Sequence, residues 1–259
     1  MITVSIFAPW LTRHSPEDMD MEARLSGPSA SHWLGTDNFG RDLWTRIAFG
    51  SRISLTIALS SVAAALLLGT LVGLASGYFG GLLDLLLMGI VDLFLAFPPF
   101  ILALALVAVL GPGVSSVTLA LTAIFWTEYA RLVRAITLSE SRRDYVTAAR
   151  SLGATHANVL FRQILPRAFG PLAVLATLGI GTAIVAESGL SFLGFGVEPP
   201  APTWGWTLAY GMRYLRSHMW LSTVPGLAIL VTVLGFNLFG DGLRDRLDPR
   251  GLVRSSPPS

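Results

Sequence analysis

Four stretches of the chain run without a charged side chain for about the length of a bilayer crossing. Residues 54–77 carry none over 24 positions, which as a helix measures about 36 Å against a hydrocarbon core of about 30 Å. Within this stretch Gly69, Gly73 and Gly77 recur at every fourth position, leaving a bare strip on one helix face along which a neighbouring helix can approach closely. Residues 93–110 give 18 uncharged positions, interrupted by Pro98 and Pro99, which must kink the helix or break it. Gly111, Pro112 and Gly113 then end the run. Residues 169–186 and 219–240 supply two more spans of suitable length. A fifth span is shorter: 114–127 covers about 21 Å before Glu128, Arg131 and Arg134. Glu128 and Arg131 stand three apart with the acid first, the favourable order on a helix, and long arginines can snorkel to the interface. Trp126 and Tyr129 are expected at headgroup depth as an aromatic anchor.

The segments ahead of these spans are of a different kind. Residues 2–11 are apolar but reach only about 15 Å, half of a crossing. They also lack the basic start and small-residue cleavage site of a signal peptide. Residues 12–31 are polar, contain Pro16 and Pro28, and read as an extended loop. In 37–49, Leu43, Trp44 and Ile47 fall at helical spacing opposite Asp42, Thr45 and Arg46. That pattern predicts a short helix, lying either on the outer membrane surface or as a cap on the bundle.

The expected fold is therefore all-α, a polytopic membrane helix bundle with five full spans, or six if residues 2–11 are the end of a first helix. Its expected parts are an outer segment (1–53), a transmembrane domain (54–250) and a disordered C-terminal tail (251–259). Composition agrees with lipid as the solvent: 53% of residues are hydrophobic and 13% charged, and the mean hydropathy is +0.63, where soluble domains carry about 25% charge. Every one of the 18 basic residues is Arg. Seven of them lie in 131–167 and four after residue 240, which places both regions, and the C-terminus, on the cytoplasmic side. The five arginines before Ser54 run against that rule. A net charge of +2 gives no nucleic-acid reading, and without cysteine there is no disulfide or thiolate chemistry.

The Arg-rich segment has more internal order than a loop requires. Ser141 followed by Asp144 resembles a capping box, 145–152 reads as a helix, and Gly153 can supply a left-handed C-cap. Thr155 can cap a second helix that reaches Ile164, Leu165 and Pro166. Two short helices with an elbow at Gly153 result, and Ala148 and Ala149 offer small side chains for close docking into a partner.

The run YVTAARSLGATHANVLFRQILP, 145–166, resembles the EAA loop of bacterial ABC importer permeases. There, two alanines, a following glycine and a terminal ILP mark the coupling helix. Thr147 stands where that family commonly has Glu. HWLGTDNFGRDLWTRI (32–47), AFPPFILALALVAVLGPG (96–113), ESGLSFLGFGVEPPAPTWG (187–205) and FNLFGDGLRDRLDP (236–249) resemble the dipeptide, oligopeptide and nickel permease group. The resemblance runs from about residue 6 to residue 250. It implies a multi-pass subunit of the bacterial cytoplasmic (inner) membrane that acts with a second homologous permease, two ABC ATPases and an extracytoplasmic solute-binding protein. It further implies that Tyr145, Ala148, Ala149, Gly153, Ile164, Leu165 and Pro166 couple the chain to the ATPases, which use ATP and Mg. The substrate class it implies is peptides, with nickel or another small solute as the alternative. Permeases of this group start inside and have six spans, so Ile6 to Trp10 matches the outer end of a first helix.

No P-loop is present, and none can be in a chain without Lys. No catalytic residue, bound cofactor or metal site is expected, since His14, His32, His156 and His218 show no ligand spacing. Asp92, Pro98, Pro99 and Glu187 are the candidates for the translocation pathway, because charge and helix breaks in a span are costly. Against this, Asp92 can serve interfacial packing and Glu187 can be a solvated loop anchor. Trp204 and Trp206, among Pro199, Pro200 and Pro202, form an outer loop that either meets the binding protein or anchors at the interface.

Overall fold

The computed structural model describes residues 1–247, so the expected disordered tail, 251–259, lies outside the described residues. Among those described there is no strand, only an isolated bridge between Thr36 and Asp42. The helices are α1 (Ile2–Leu11), α2 (Leu43–Phe79), α3 (Gly81–Leu95), α4 (Pro99–Leu110), α5 (Val114–Glu140), α6 (Asp144–Ser151), α7 (His156–Asn158), α8 (Leu165–Phe192), α9 (Trp204–Met212) and α10 (Trp220–Leu247). A π-helical stretch, Val159–Ile164, joins α7 to α8.

Among the described residues, three continuous helical runs are long and apolar enough to cross a membrane: Leu43–Phe79, His156–Phe192 and Trp220–Leu247. The helix expected to be interrupted at Pro98 and Pro99 does stop, at Leu95, and α4 restarts at Pro99; counted as one broken span, α3 and α4 make a fourth. α5 is long enough at 27 residues, but its second half holds Glu128, Arg131 and Arg134. α1 remains ten residues long, too short to cross alone.

α2 differs from expectation at its start. It begins at Leu43 rather than near Ser54, because Asp42 caps it: the carboxylate Oδ2 accepts from the Thr45 backbone N–H at 2.8 Å and from the Thr45 hydroxyl at 2.7 Å. Leu43, Trp44 and Ile47 are thus the first turns of a 37-residue helix and not a separate interfacial one. Nor is the opposite face solvated, since Asp42, Thr45 and Arg46 are all buried.

The chain divides into two compact units. The first gathers Met1–Ser61, Phe100–Leu121 and Ile180–Gly235. At its centre Trp204 is fully buried and donates its indole N–H to the Ile47 carbonyl at 3.0 Å. Gly50 lies against that ring, where an added Cβ would come within 3.2 Å. Trp204 is therefore neither a binding-protein contact nor an interfacial anchor; it opens α9, whose cap Thr203 accepts from the Trp206 N–H at 3.2 Å. Trp206 stacks on Tyr210 with ring centroids 5.6 Å apart. Nearby, Asp37 organises two buried arginines: Arg41 Nε at 2.7 Å and Arg46 Nε at 3.8 Å from one carboxylate oxygen.

The second unit gathers Val62–Pro99, Thr122–Gly179 and the chain from Phe236 onward. Here the glycine strip of α2 meets α5. A Cβ at Gly69 would fall 2.4 Å from the Trp126 carbonyl oxygen, one at Gly73 2.5 Å from that of Ala130, and one at Gly77 2.7 Å from Thr137 Cβ. These contacts are with backbone or Cβ atoms that cannot rotate away, so the close approach needs all three glycines. Trp126 and Tyr129, expected as an aromatic anchor, are buried within the chain, where Gly69 of α2 lies against the Trp126 carbonyl and Tyr129 Cβ. Two ion pairs join α3 to α5. Arg134 makes a two-pronged contact with Asp84, both bonds at 2.6 Å, and Arg131 reaches Asp92 at 2.6 Å.

Candidate functional site

The site is the short arm between α5 and α8, all within the second unit. α5 ends at Glu140, and α6 starts after a turn whose last residue, Arg143, occupies the cap position without a side-chain cap bond. The capping box expected from Ser141 does not form: that hydroxyl donates to the Leu138 carbonyl at 3.2 Å, since the helix begins two residues too late for it. Asp144 in the first turn and Arg150 in the last complement the helix dipole. The elbow is where the sequence puts it, with Gly153 at φ +84°, a conformation that side chains resist. There the Ala154 N–H donates to the Ala149 carbonyl at 3.0 Å, closing the end of α6.

Beyond the elbow, Thr155 caps α7 as expected, accepting from the Asn158 N–H at 3.3 Å. The widened π-helical stretch ends just ahead of Pro166. Proline cannot donate back into a regular helix and its ring crowds the carbonyl four residues earlier, so a widened turn at this point relieves both. Ile164 is buried, Leu165 half-buried and Pro166 exposed; these three root the arm in α8.

α6 is eight residues, about 12 Å long. Val146 is its buried anchor, while Tyr145 and Ala148 are exposed and Ala149 is half-buried. Leu152, at the tip of the arm, is 88% exposed. Struts hold the arm in place. The Tyr145 hydroxyl donates to Glu140 at 2.7 Å, and Arg143 pairs with the same carboxylate at 3.1 Å. Partial burial, and then the Glu140 carboxylate, push the Tyr145 phenol up, so it stays protonated and donating. On the other side of the elbow, Tyr78 at the end of α2 hydrogen-bonds His156 Nδ1 at 2.8 Å, and the Arg150 guanidinium lies over the Tyr78 ring at 4.6 Å.

Sequence reasoning missed Leu152, Glu140, Tyr78 and His156. Leu152 carried a signal, an apolar residue next to the elbow glycine; Tyr78 and His156 are 78 residues apart and carried none.

The pathway candidates fall in different units and are described separately. In the second, Asp92 is exposed and paired with Arg131, whereas the sequence suggested Glu128 as that arginine's neighbour. Pro98 and Pro99 are exposed at the break between α3 and α4. In the first, Glu187 is fully buried, accepting from Ser191 at 2.8 Å and from Ser188 at 3.4 Å. It is no solvated loop anchor, because α8 runs on through it to Phe192.

The chain belongs to the family described as binding-protein-dependent transport system inner membrane component, which it matches over residues 65–252. It is 43% identical to the dipeptide transport system permease protein DppC of Alkalihalophilus pseudofirmus, over 96% of this chain and 82% of that one. It is also 42% identical to the di/tripeptide transport system permease protein DppC of Pseudomonas aeruginosa, over 96% and 84% of the two chains. Its fold is similar to that of a chain of the MetNI methionine ABC transporter in an inward-facing conformation, at 20% identity and a TM-score of 0.63, covering 80% of this chain and 97% of that one. The protein is thus a multi-pass inner-membrane permease subunit of a binding-protein-dependent transport system.

Proposed function

We propose that this chain forms half of the translocation pathway of an ATP-driven importer of short peptides, and that α6 and its elbow receive the ATPase stroke. The observation that carries the coupling reading is the exposed tip of α6: Ala148 and Leu152 face outward on an arm pinned at Glu140, Val146 and Tyr78. A rigid lever with an apolar end is what a push from a partner requires. Peptides are the substrate class because the relatives at 42–43% identity carry dipeptides and di/tripeptides by name. The chain itself hydrolyses no ATP and binds no cofactor; its partners are a second homologous permease, two ATPase subunits and a solute-binding protein. Asp92, Pro98, Pro99 and Glu187 belong to the pathway or its gate.

In reconstituted vesicles holding the complete complex, Leu152→Glu and Ala149→Arg should insert normally yet lower ATP-driven uptake of a labelled dipeptide by about tenfold or more, the loss expected on truncating an interface anchor. Uptake equal to the parent complex in both variants would show that α6 is not the coupling element.

With α5 counted as one of five spans, a cytoplasmic C-terminus is the orientation that the arginines of 131–167 and those after residue 240 support. Single cysteines at Arg142 and Glu198, both exposed, test this in a background without native cysteine. Impermeant label applied from outside should reach position 198 and spare 142; the reverse pattern overturns the topology.

A further inference from the structure

The four histidines show no ligand spacing in the sequence, yet the fold of the first unit brings two of them to one carboxylate. Candidate ligand atoms of His14, His32 and Asp42 all lie within 4.8 Å of one another. We propose that these three residues form a binding site for a single zinc-class divalent ion, which clips the 12–31 loop to the start of α2.

Each residue is delivered by a separate, locally fixed piece of backbone. Asp42 is held by capping α2 through Oδ2, which leaves Oδ1 to face His32 Nδ1 at 3.0 Å. His32 sits on a tight turn in which its N–H donates to the Ser29 hydroxyl at 3.0 Å and its carbonyl accepts from the Ser29 N–H at 2.8 Å. His14 follows a segment pinned by Trp44, whose indole N–H donates to the Leu11 carbonyl at 3.0 Å. A hydrogen-bonded His32–Asp42 pair accounts for those two residues alone. It does not account for His14, which arrives from 18 residues away to stack on His32 with centroids 4.8 Å apart.

A second observation points to a ligand. A cavity of about 10 Å³ has His14, Asp42, Ser31 and the two tryptophans Trp33 and Trp44 on its wall, with Arg13 also lining it and His32 standing outside it; its room is that of one water or one small ion. Arg13, the nearby cation, is turned onto the Trp33 ring at 5.7 Å.

Two neutral imidazoles and one carboxylate suit zinc, nickel or copper, and are a poor match for magnesium or calcium, which take oxygen donors. Ligands of a tetrahedral zinc stand about 3.4 Å apart, from bonds of about 2.0 to 2.1 Å. The widest-spaced ligand atoms, up to 4.8 Å apart, must therefore draw in by roughly 1.4 Å, while His32 and Asp42, at 3.0 Å, open by roughly 0.4 Å. His14 can supply that movement, since its bond to the Ser31 carbonyl, at 3.1 Å, is exposed. Water in the cavity completes the fourth position.

The test uses the purified full-length chain in detergent, equilibrated with zinc chloride, freed of excess by gel filtration and analysed for metal. About one zinc per chain is expected in the parent protein and in His218→Ala. His14→Ala and His14→Gln should lose it, the glutamine variant keeping the size of the side chain and eluting as the parent does. Zinc should also slow proteolysis within 12–31 in the parent and not in His14→Gln. A parent chain that retains no zinc, or a His14→Gln chain that retains it, overturns the site.

Discussion

Replacing Gly73 with Leu should cost the isolated chain about 3 kcal/mol of stability, the upper end of what overpacking does. A single Cβ at this position already lands 2.5 Å from the Ala130 carbonyl oxygen and 2.7 Å from Val133 Cβ. Neither atom belongs to a flexible side-chain end, so α2 and α5 must separate. Separation opens the contact along its length, because Gly69 and Gly77 make the same approach one turn to either side. It also pulls on Asp84, which α5 holds through Arg134 and α2 holds through Ser76. Gly73→Ala should show the same effect at about 1 kcal/mol. Helix propensity works the other way, since either substitution gains up to about 1 kcal/mol over glycine. Gly235→Leu in α10, where an added Cβ meets nothing within 4 Å, takes that gain without the clash and is the control. Thermal unfolding in detergent compares the three; Gly73→Leu melting alongside Gly235→Leu would sink the argument.

That contact was legible beforehand because small residues at a spacing of four have few other uses in an apolar helix. The elbow was legible for a similar reason: after a helical run, Gly153 has one common role, and its φ of +84° is the conformation that role needs. The family too was readable, since several motifs in the right order leave little room for chance, and the match over 65–252 bears this out.

Polar residues were read less well. Asp42, Thr45 and Arg46 on one side of a helix look the same in sequence whether they face water or a buried network, and here they are buried. Trp204 among prolines looks like a loop residue until the Ile47 carbonyl is found beneath its indole. Arg131 was given the acid three residues away, when the ion pair goes to Asp92, because helix spacing is visible in a sequence and contact between helices is not. His14, His32 and Asp42 met the same limit: they come together only through two turns and a helix cap.

The buried network around Asp37 gives the second large effect. Its carboxylate accepts from the Phe39 N–H at 2.8 Å, the Arg41 N–H at 3.1 Å and Arg41 Nε at 2.7 Å, with Arg46 Nε 3.8 Å away. Arg41 and Arg46 are 2% and 1% exposed, so one anion stands between two guanidiniums that water hardly reaches. Arg46 has further support from the Pro16 and Pro200 carbonyls at 3.1 and 3.4 Å. Those are dipoles and do not replace the charge. Asp37→Ala should therefore cost about 3 to 5 kcal/mol, the usual result of breaking a buried pair and stranding its partner. Asp37→Asn separates charge from turn geometry, since its carbonyl can still accept from the two backbone N–H groups while the anion is gone. Most of the loss should remain in that variant. Adding Arg46→Met to Asp37→Asn should then restore part of it, because the stranded charge is removed along with its partner. Thermal unfolding of the purified chains gives all three comparisons. An Asp37→Asn variant as stable as the parent would mean that the anion is dispensable and that the turn alone holds this end of α2.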